Sequence, residues 1–168
     1  MDFIEVKIEE FDDVYFQMEK SFPVFERRTY SQAKDVLNEK DYTLFHIREN
    51  GNKVGFISVW QLDGFFFVEH FAICEDYRNH GLGAKALNLA KKKWQTIVLE
   101  AEPPIAEVAK RRLNFYKRNG FCVNQFKYMQ PAYQEGEKDV ELIILSCPDV
   151  LANEKLVVSE IYKRVYGR

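Results

Sequence analysis

Two dipeptides constrain this chain more than any other feature: Asn50-Gly51 and Asp63-Gly64. Each stands between runs of strand-forming residues. Each also supplies the positive φ that a tight hairpin turn demands. Tyr42 to Arg48, Lys53 to Leu62 and Phe65 to Ile73 are therefore expected as three consecutive antiparallel strands, a meander in the middle of the chain.

Around that meander the periodicity changes. Ile4, Val6 and Ile8 alternate with polar residues and predict a first strand. Phe11, Val14, Tyr15 and Met18 then recur at helical spacing. Thr29 and Gln32 form a capping box ahead of Ala33, Val36 and Leu37. These two early helices, separated by Phe22-Pro23, are expected to form a flap. After the meander, Leu82, Ala86, Leu87, Ala90 and Trp94 mark a helix from Gly81. Thr96 to Glu100 reads as a short buried strand ended by Pro103-Pro104. Ile105 to Asn119 reads as a second helix, with Ile105, Val108, Ala109, Arg112, Leu113 and Tyr116 on one stripe and Asn119-Gly120 as its C-cap. Strands at 121 to 128 and 139 to 147 follow. A final helix at about 150–166 carries Val157, Val158, Ile161 and Val165 on one side. The 168 residues suit one domain, 1–168, of mixed α+β class. Its central sheet is mostly antiparallel and flanked by helices.

The stretch with chemical content is Arg78-x-x-Gly81-x-Gly83, where a strand runs into a helix. Backbone N–H groups at a helix start are unpaired and the helix dipole adds positive potential, so an anion such as a pyrophosphate fits there. It is not the dinucleotide fingerprint G-x-G-x-x-G, nor a P-loop, since no Gly-Lys-Ser/Thr follows.

The segment FVEHFAICEDYRNHGLGAKAL resembles the central motif of the GNAT superfamily of N-acyltransferases. There an apolar triplet ends a strand, and Arg/Gln-x-x-Gly-x-Gly/Ala follows after four residues. Here the triplet is Phe71-Ala72-Ile73 and the loop begins at Arg78. RRLNFYKRNGF resembles the family's helix-end signature Tyr-x-x-x-Gly-Phe, filled by Tyr116, Gly120 and Phe121. The resemblance implies a sheet splayed into a V-shaped slot for acetyl-CoA as cosubstrate. Main chain of Phe71, Ala72 and Ile73 would take the pantetheine arm, and one N–H of Phe71 or Ala72 would polarise the thioester carbonyl. The amides of Arg78, Asn79, His80, Gly81, Leu82, Gly83 and Ala84 would hold the pyrophosphate.

The resemblance also implies acid and base roles. An ammonium acceptor must lose a proton before it attacks. Glu69 is the expected base, working through a water and helped by a raised pKa. Its other use is an ion pair with a cross-strand base. Strict alternation places Glu69 on the face of Phe71 and Ile73, with His70 on the opposite face as a packing or hydrogen-bonding group; a bulge would reverse that assignment. Tyr116 is the expected acid for the leaving thiolate, its other use being a core aromatic. Cys74 is expected to pack rather than carry an acyl group. The family's frequent Asn seven residues before the Tyr is replaced by Ala109. Acceptor recognition would fall to Phe22, Glu26, Arg27 and Arg28 at the mouth of the slot, and to Tyr128, Gln130 and Tyr133.

These residues predict an N-acetyltransferase acting on a primary amine of a small molecule or peptide. The other reading on the same fold is a non-catalytic acyl-CoA-binding regulatory module. A net charge of -2 argues against a nucleic-acid binder driven by bulk charge. Three isolated cysteines indicate neither a disulfide framework nor a metal site. No apolar run is long enough for a membrane span, and the start lacks signal-peptide features, which points to the cytoplasm. The stripe on the final helix fits either core cover or a homodimer contact, so a monomer or homodimer is expected.

Overall fold

The computed structural model describes residues 1–134 and 136–168. In chain order the elements are β1 (Asp2–Glu5), α1 (Phe11–Ser21), α2 (Tyr30–Asp35), β2 (Tyr42–Glu49), β3 (Asn52–Leu62), β4 (Phe65–Ile73), α3 (Leu82–Lys93), β5 (Ile97–Ala101), α4 (Glu107–Arg118), β6 (Cys122–Val123), β7 (Tyr128–Gln130), β8 (Val140–Cys147) and α5 (Glu154–Ile161). A π-helical turn, Tyr162–Tyr166, continues α5. The expected meander is β2-β3-β4, turned at Asn50 (φ 49°), Gly51 (φ 83°) and Gly64 (φ 79°). The Thr29/Gln32 capping box opens α2 as expected.

The sheet runs β1-β2-β3-β4-β5-β8-β6, with β7 paired to β8 outside that path. Among the described residues every neighbour pair is antiparallel except β4 and β5, which are parallel. One face packs on α1, α2 and α5 through Phe11, Met18, Ala33, Val157 and Ile161. The other packs on α3 and α4 through Ala86, Leu87, Ala90, Leu113 and Tyr116. The stripe of the last helix therefore covers the core, and Val165 in the turn after it is buried as well.

Four local expectations change. The first strand leaves the ladder after Val6, whose N–H still reaches the Leu44 carbonyl at 2.9 Å, and Ile8 is exposed. Helix α4 starts at Glu107, so Ile105 and Val108 fall off its buried stripe into solvent. The strand expected at 121–128 splits into β6 and β7. Asn124, between them, turns its amide group onto the Ile144 carbonyl and Ser146 Oγ while accepting from Leu151 N–H.

The fourth change concerns the site. Ser58 pairs with His70, but the next residue, Val59, pairs with Val68, so Glu69 is an extra residue in β4. The bulge is stabilised by Ser58 Oγ, which accepts the His70 N–H at 3.0 Å inside the sheet. Alternation breaks there. Phe66, Val68, Phe71 and Ile73 face α3 and α4. Phe65, Phe67 and Ala72 face the other layer, and the partners of Glu69 and His70 place both of these on that second side. The assignment of Glu69 to the face of Phe71 is thus corrected, whereas His70 lies opposite Phe71 as expected: a bulge puts two neighbours on one face.

Candidate active site

Strands β4 and β5 pair only through Phe66↔Ile97, Phe67↔Val98 and Val68↔Leu99. Beyond Val68 they separate, and a cleft of about 750 Å³ opens between them. Amide directions along β4 follow from two contacts. Cys74 N–H donates to the Val54 carbonyl at 2.9 Å and His70 N–H to Ser58, both on β3. Main-chain groups alternate in direction along a strand. The N–H groups of Phe71 and Ile73 therefore point away from β3, into the cleft, past the end of the β5 pairing. Of Phe71 and Ala72, the two residues expected to supply the carbonyl-binding N–H, Phe71 is the one whose N–H points into the cleft.

The cleft continues to the start of α3. Asn79 (φ 66°) and Gly81 (φ 72°) are both left-handed, and Gly81 is the N-cap. Alternating handedness of this kind turns successive N–H groups toward one point, an anion-binding nest. The free amides of the first α3 turn, Leu82 to Ala84, lie beside it. A Cβ on Gly83 would come within 3.2 Å of the Phe115 ring, so glycine permits the close packing of α3 on α4. Arg78 Nε is held by the Ile73 carbonyl at 2.9 Å, which ties the loop to the end of β4. Of the residues expected to bind the cosubstrate, Phe71, Ala72, Ile73, Arg78, Asn79, Gly81, Leu82, Gly83 and Ala84 line this cleft; His80 is exposed and does not.

Glu69 lines the cleft but is fully engaged. Its Oε1 accepts from Arg28 Nε (3.0 Å) and Tyr133 OH (3.0 Å), and its Oε2 from Trp60 Nε1 (2.8 Å). The side chain is 1% exposed. Burial pushes its pKa up, but the Arg28 guanidinium and these donors hold it below the usual glutamate value. Such a carboxylate is a weak base. Arg28 also donates to the Val165 carbonyl at 2.6 Å, and Arg27 turns to Glu19 and Tyr15. The two guanidinium groups expected at the mouth are therefore structural clamps; Phe22 and Glu26 remain as cleft walls.

Across the cleft stands Glu100, on β5. Its Oε1 accepts from Tyr128 OH, and its Oε2 from Tyr166 OH (2.8 Å) and Gln130 Nε2 (3.1 Å). No cation pairs with it among the described residues. Burial raises its pKa to about 7, with the Glu69 charge adding to the rise and the three donors opposing it. His70 is neutral at physiological pH: burial lowers its pKa against the pull of Glu69, and its Nε2 meets the Glu26 carbonyl at 3.0 Å. Tyr116 lines the cleft from the opposite layer, its pKa pushed up to about 12 by burial. Its ring packs on Phe115 and Phe121, and its hydroxyl has no hydrogen-bond partner among the described residues. Burial also raises the Cys74 thiol, which keeps it from being a ready nucleophile.

Glu69, Tyr116 and the glycine loop, expected together from the sequence, line one cleft. Sequence reasoning missed Glu100 and Tyr166. For Glu100 a signal existed: a carboxylate ending the apolar run Ile97-Val98-Leu99 is costly to bury without a purpose. Tyr166 carried no such signal.

Similarity to known proteins agrees with this geometry. The profile of the Acetyltransferase (GNAT) domain matches residues 40–123, half of the chain. Acetyltransferase YjbC of Bacillus subtilis (strain 168), itself assigned by inference, is 29% identical over 155 residues, covering 90% of this chain and 78% of that protein. A GNAT-family protein from Bacteroides thetaiotaomicron, also assigned by inference, superposes with a TM-score of 0.93 at 28% identity, over 100% of this chain and 99% of that one. An Elizabethkingia anophelis GNAT acetyltransferase with acetyl-CoA bound shares the fold at a TM-score of 0.51 and 15% identity, over 70% and 82%.

Proposed function

As this chain belongs to the GNAT acetyltransferase family, we propose that it is an acetyl-CoA-dependent N-acetyltransferase that passes the acetyl group directly to a primary amine. Acetyl-CoA supplies an activated thioester. The nest at Asn79 to Gly81 and the α3 amides fit its pyrophosphate, and Phe71 and Ile73 offer unpaired main chain to an extended arm. The Phe71 N–H is placed to bind the carbonyl oxygen as negative charge develops on it.

Proton handling is divided between the two faces of the sheet. Glu100 takes the proton that the attacking amine must lose; a pKa of about 7 makes it largely ionised just above neutrality and still basic enough to accept. As the carbon–sulfur bond breaks, Tyr116 donates its proton to the departing sulfur. A phenol with a pKa of about 12 is always protonated at that point in the cycle. Amine and thiolate thus occupy opposite sides of the splay. Glu69 keeps a positioning role, ordering Arg28 and Tyr133. The observation that carries this reading is the meeting in one cleft of an anion cradle, unpaired strand amides, Glu100 and Tyr116.

Calorimetric titration with acetyl-CoA tests the cosubstrate site, with dephospho-CoA and ADP as controls. Saturable binding that needs the pyrophosphate-bearing arm is expected; a folded protein that binds none of them overturns the proposal. Tyr116→Phe is expected to slow turnover of an amine substrate roughly 10²-fold, the low end for a lost general acid because water can substitute. Acetyl-CoA affinity should stay within about twofold, since an interaction made only in the transition state leaves ground-state binding untouched. An unchanged turnover rate would remove Tyr116 from the mechanism.

A further inference from the structure

Tyr166 lies 66 residues from Glu100 in sequence, yet its hydroxyl donates to Glu100 Oε2 at 2.8 Å. The same hydroxyl is 3.5 Å from Tyr133 OH, which donates to Glu69 Oε1 at 3.0 Å. The backbone of this turn is anchored too, because the Val165 carbonyl accepts from Arg28, and Arg28 is the cation of Glu69. Both hydroxyl protons are given to carboxylates, so the two hydroxyls are neighbours rather than partners, and the turn reaches Glu69 through the Val165 carbonyl and Arg28. Two carboxylates on neighbouring strands that part beyond Val68 are bridged by a single segment that follows α5.

We propose that Tyr166 is a positioning residue for acyl transfer: it fixes the Glu100 carboxylate toward the acceptor, while the Val165 carbonyl beside it ties the same turn to Glu69 through Arg28, so that the turn after α5 stands behind the cleft wall that Glu100 and Gln130 form. This rests on Glu100 being the proton acceptor. A side chain whose only task was packing would not need its hydroxyl, and Gln130 Nε2 completes the arrangement by donating to both Glu100 Oε2 and Tyr166 OH, at 3.1 and 2.9 Å. The groups facing Glu100 are Tyr128 and Gln130 from β7, Tyr166 and Tyr162 from the turn, Tyr133 from the β7–β8 connection, and Glu69 from β4 with Arg28 behind it. Among the donors, Tyr166 alone also reaches toward the Glu69 side.

The test is Tyr166→Phe in the full chain, which keeps the ring and removes the hydroxyl. A donor that favours the ionised carboxylate is lost, so Glu100 holds its proton more tightly. The acid limb of kcat/KM is expected to move up by as much as about one pH unit, giving a roughly fivefold fall at pH 7 and little change at pH 9. KM for acetyl-CoA should not move. Tyr133→Phe removes a donor of Glu69 but leaves the donors of Glu100 in place, and is expected to shift the limb less than Tyr166→Phe does. Carboxyl-carbon NMR titration of Glu100 in the wild type and both variants reads the same quantity without turnover. If the Glu100 titration is identical in wild type and Tyr166→Phe, the positioning is overturned, whatever the activity. If that titration shifts but no amine is acetylated by the wild type, the positioning stands and the catalytic reading of Glu100 falls.

Discussion

Glu100→Gln should abolish most turnover and yet make the protein more stable at pH 8. Both effects come from one property, a carboxylate held in a buried site without a cation. Loss of the proton acceptor is expected to lower kcat by about 10²–10⁴-fold and to erase the acid limb near pH 7. Acetyl-CoA affinity should persist, because the cradle at Asn79 to Ala84 is on the other side of the splay. The folded pKa of Glu100, about 7, lies above the ordinary value of 4.5. Below 4.5 the group is protonated in both folded and unfolded chains and carries no penalty. As pH rises toward 7 the unfolded chain ionises first, so folded stability declines, and above 7 the penalty is constant. At 1.36 kcal/mol per unit the shift corresponds to roughly 3 kcal/mol. Gln removes the ionisation but also weakens three hydrogen bonds, so a net gain of about 1–2 kcal/mol above pH 7 is expected, turning into a net loss of about 1–2 kcal/mol near pH 4.5. Calorimetric melting of both proteins across pH 4.5–8.5 measures it; a variant less stable at pH 8 would mean that the ionised carboxylate is not a burden on the fold.

The parts of this site that were legible in sequence are those encoded by neighbouring residues. The hairpin turns, the Thr29/Gln32 cap, the glycine loop and the spacing of Tyr116 from Gly120-Phe121 are local signals, and each stands where its pattern placed it. The face of Glu69 was not legible. Its bulge depends on Ser58, twelve residues before His70, offering a hydroxyl to one amide inside the sheet. Period-two reasoning cannot see an inserted residue. Glu100 was hidden for a related reason: Thr96 to Glu100 reads as a buried strand, and the groups that make its final carboxylate tolerable come from Tyr128, Gln130 and Tyr166. In α4 the stripe is narrower than its pattern suggested: Ile105 precedes the helix, and Val108 sits on its solvent side while Ala109, Leu113 and Tyr116 are buried.

The largest stability effect is expected at Arg28. Arg28→Met keeps an unbranched side chain but strands Glu69, a carboxylate with 1% exposure and no other cation at salt-bridge distance among the described residues. Removing one member of such a pair leaves an uncompensated buried charge and is expected to destabilise by about 3–5 kcal/mol. Val165 also loses the donor to its carbonyl, loosening the turn that carries Tyr166. Glu69→Gln added to Arg28→Met removes the stranded charge, and the double variant should recover a large part of the loss, a coupling that a double-mutant cycle in urea isolates. The pH dependence gives a second reading. In the wild type Arg28 lowers the folded pKa of Glu69, so the pair contributes stability that is present above the unfolded glutamate value and lost as pH falls through the folded one. Without Arg28 the folded pKa rises, and the deficit of the single variant should shrink as acid protonates Glu69. These outcomes also decide between the two carboxylates. A base must exchange protons during turnover, whereas a clamp must stay ionised and paired. If Arg28→Met leaves stability unchanged while Glu69→Gln alone stops catalysis, Glu69 is the proton acceptor and Glu100 the clamp. If Arg28→Met destabilises and Glu69→Gln retains measurable turnover where Glu100→Gln does not, proton transfer belongs to β5, and the bulge in β4 serves to turn Glu69 onto an arginine of the α1–α2 connection.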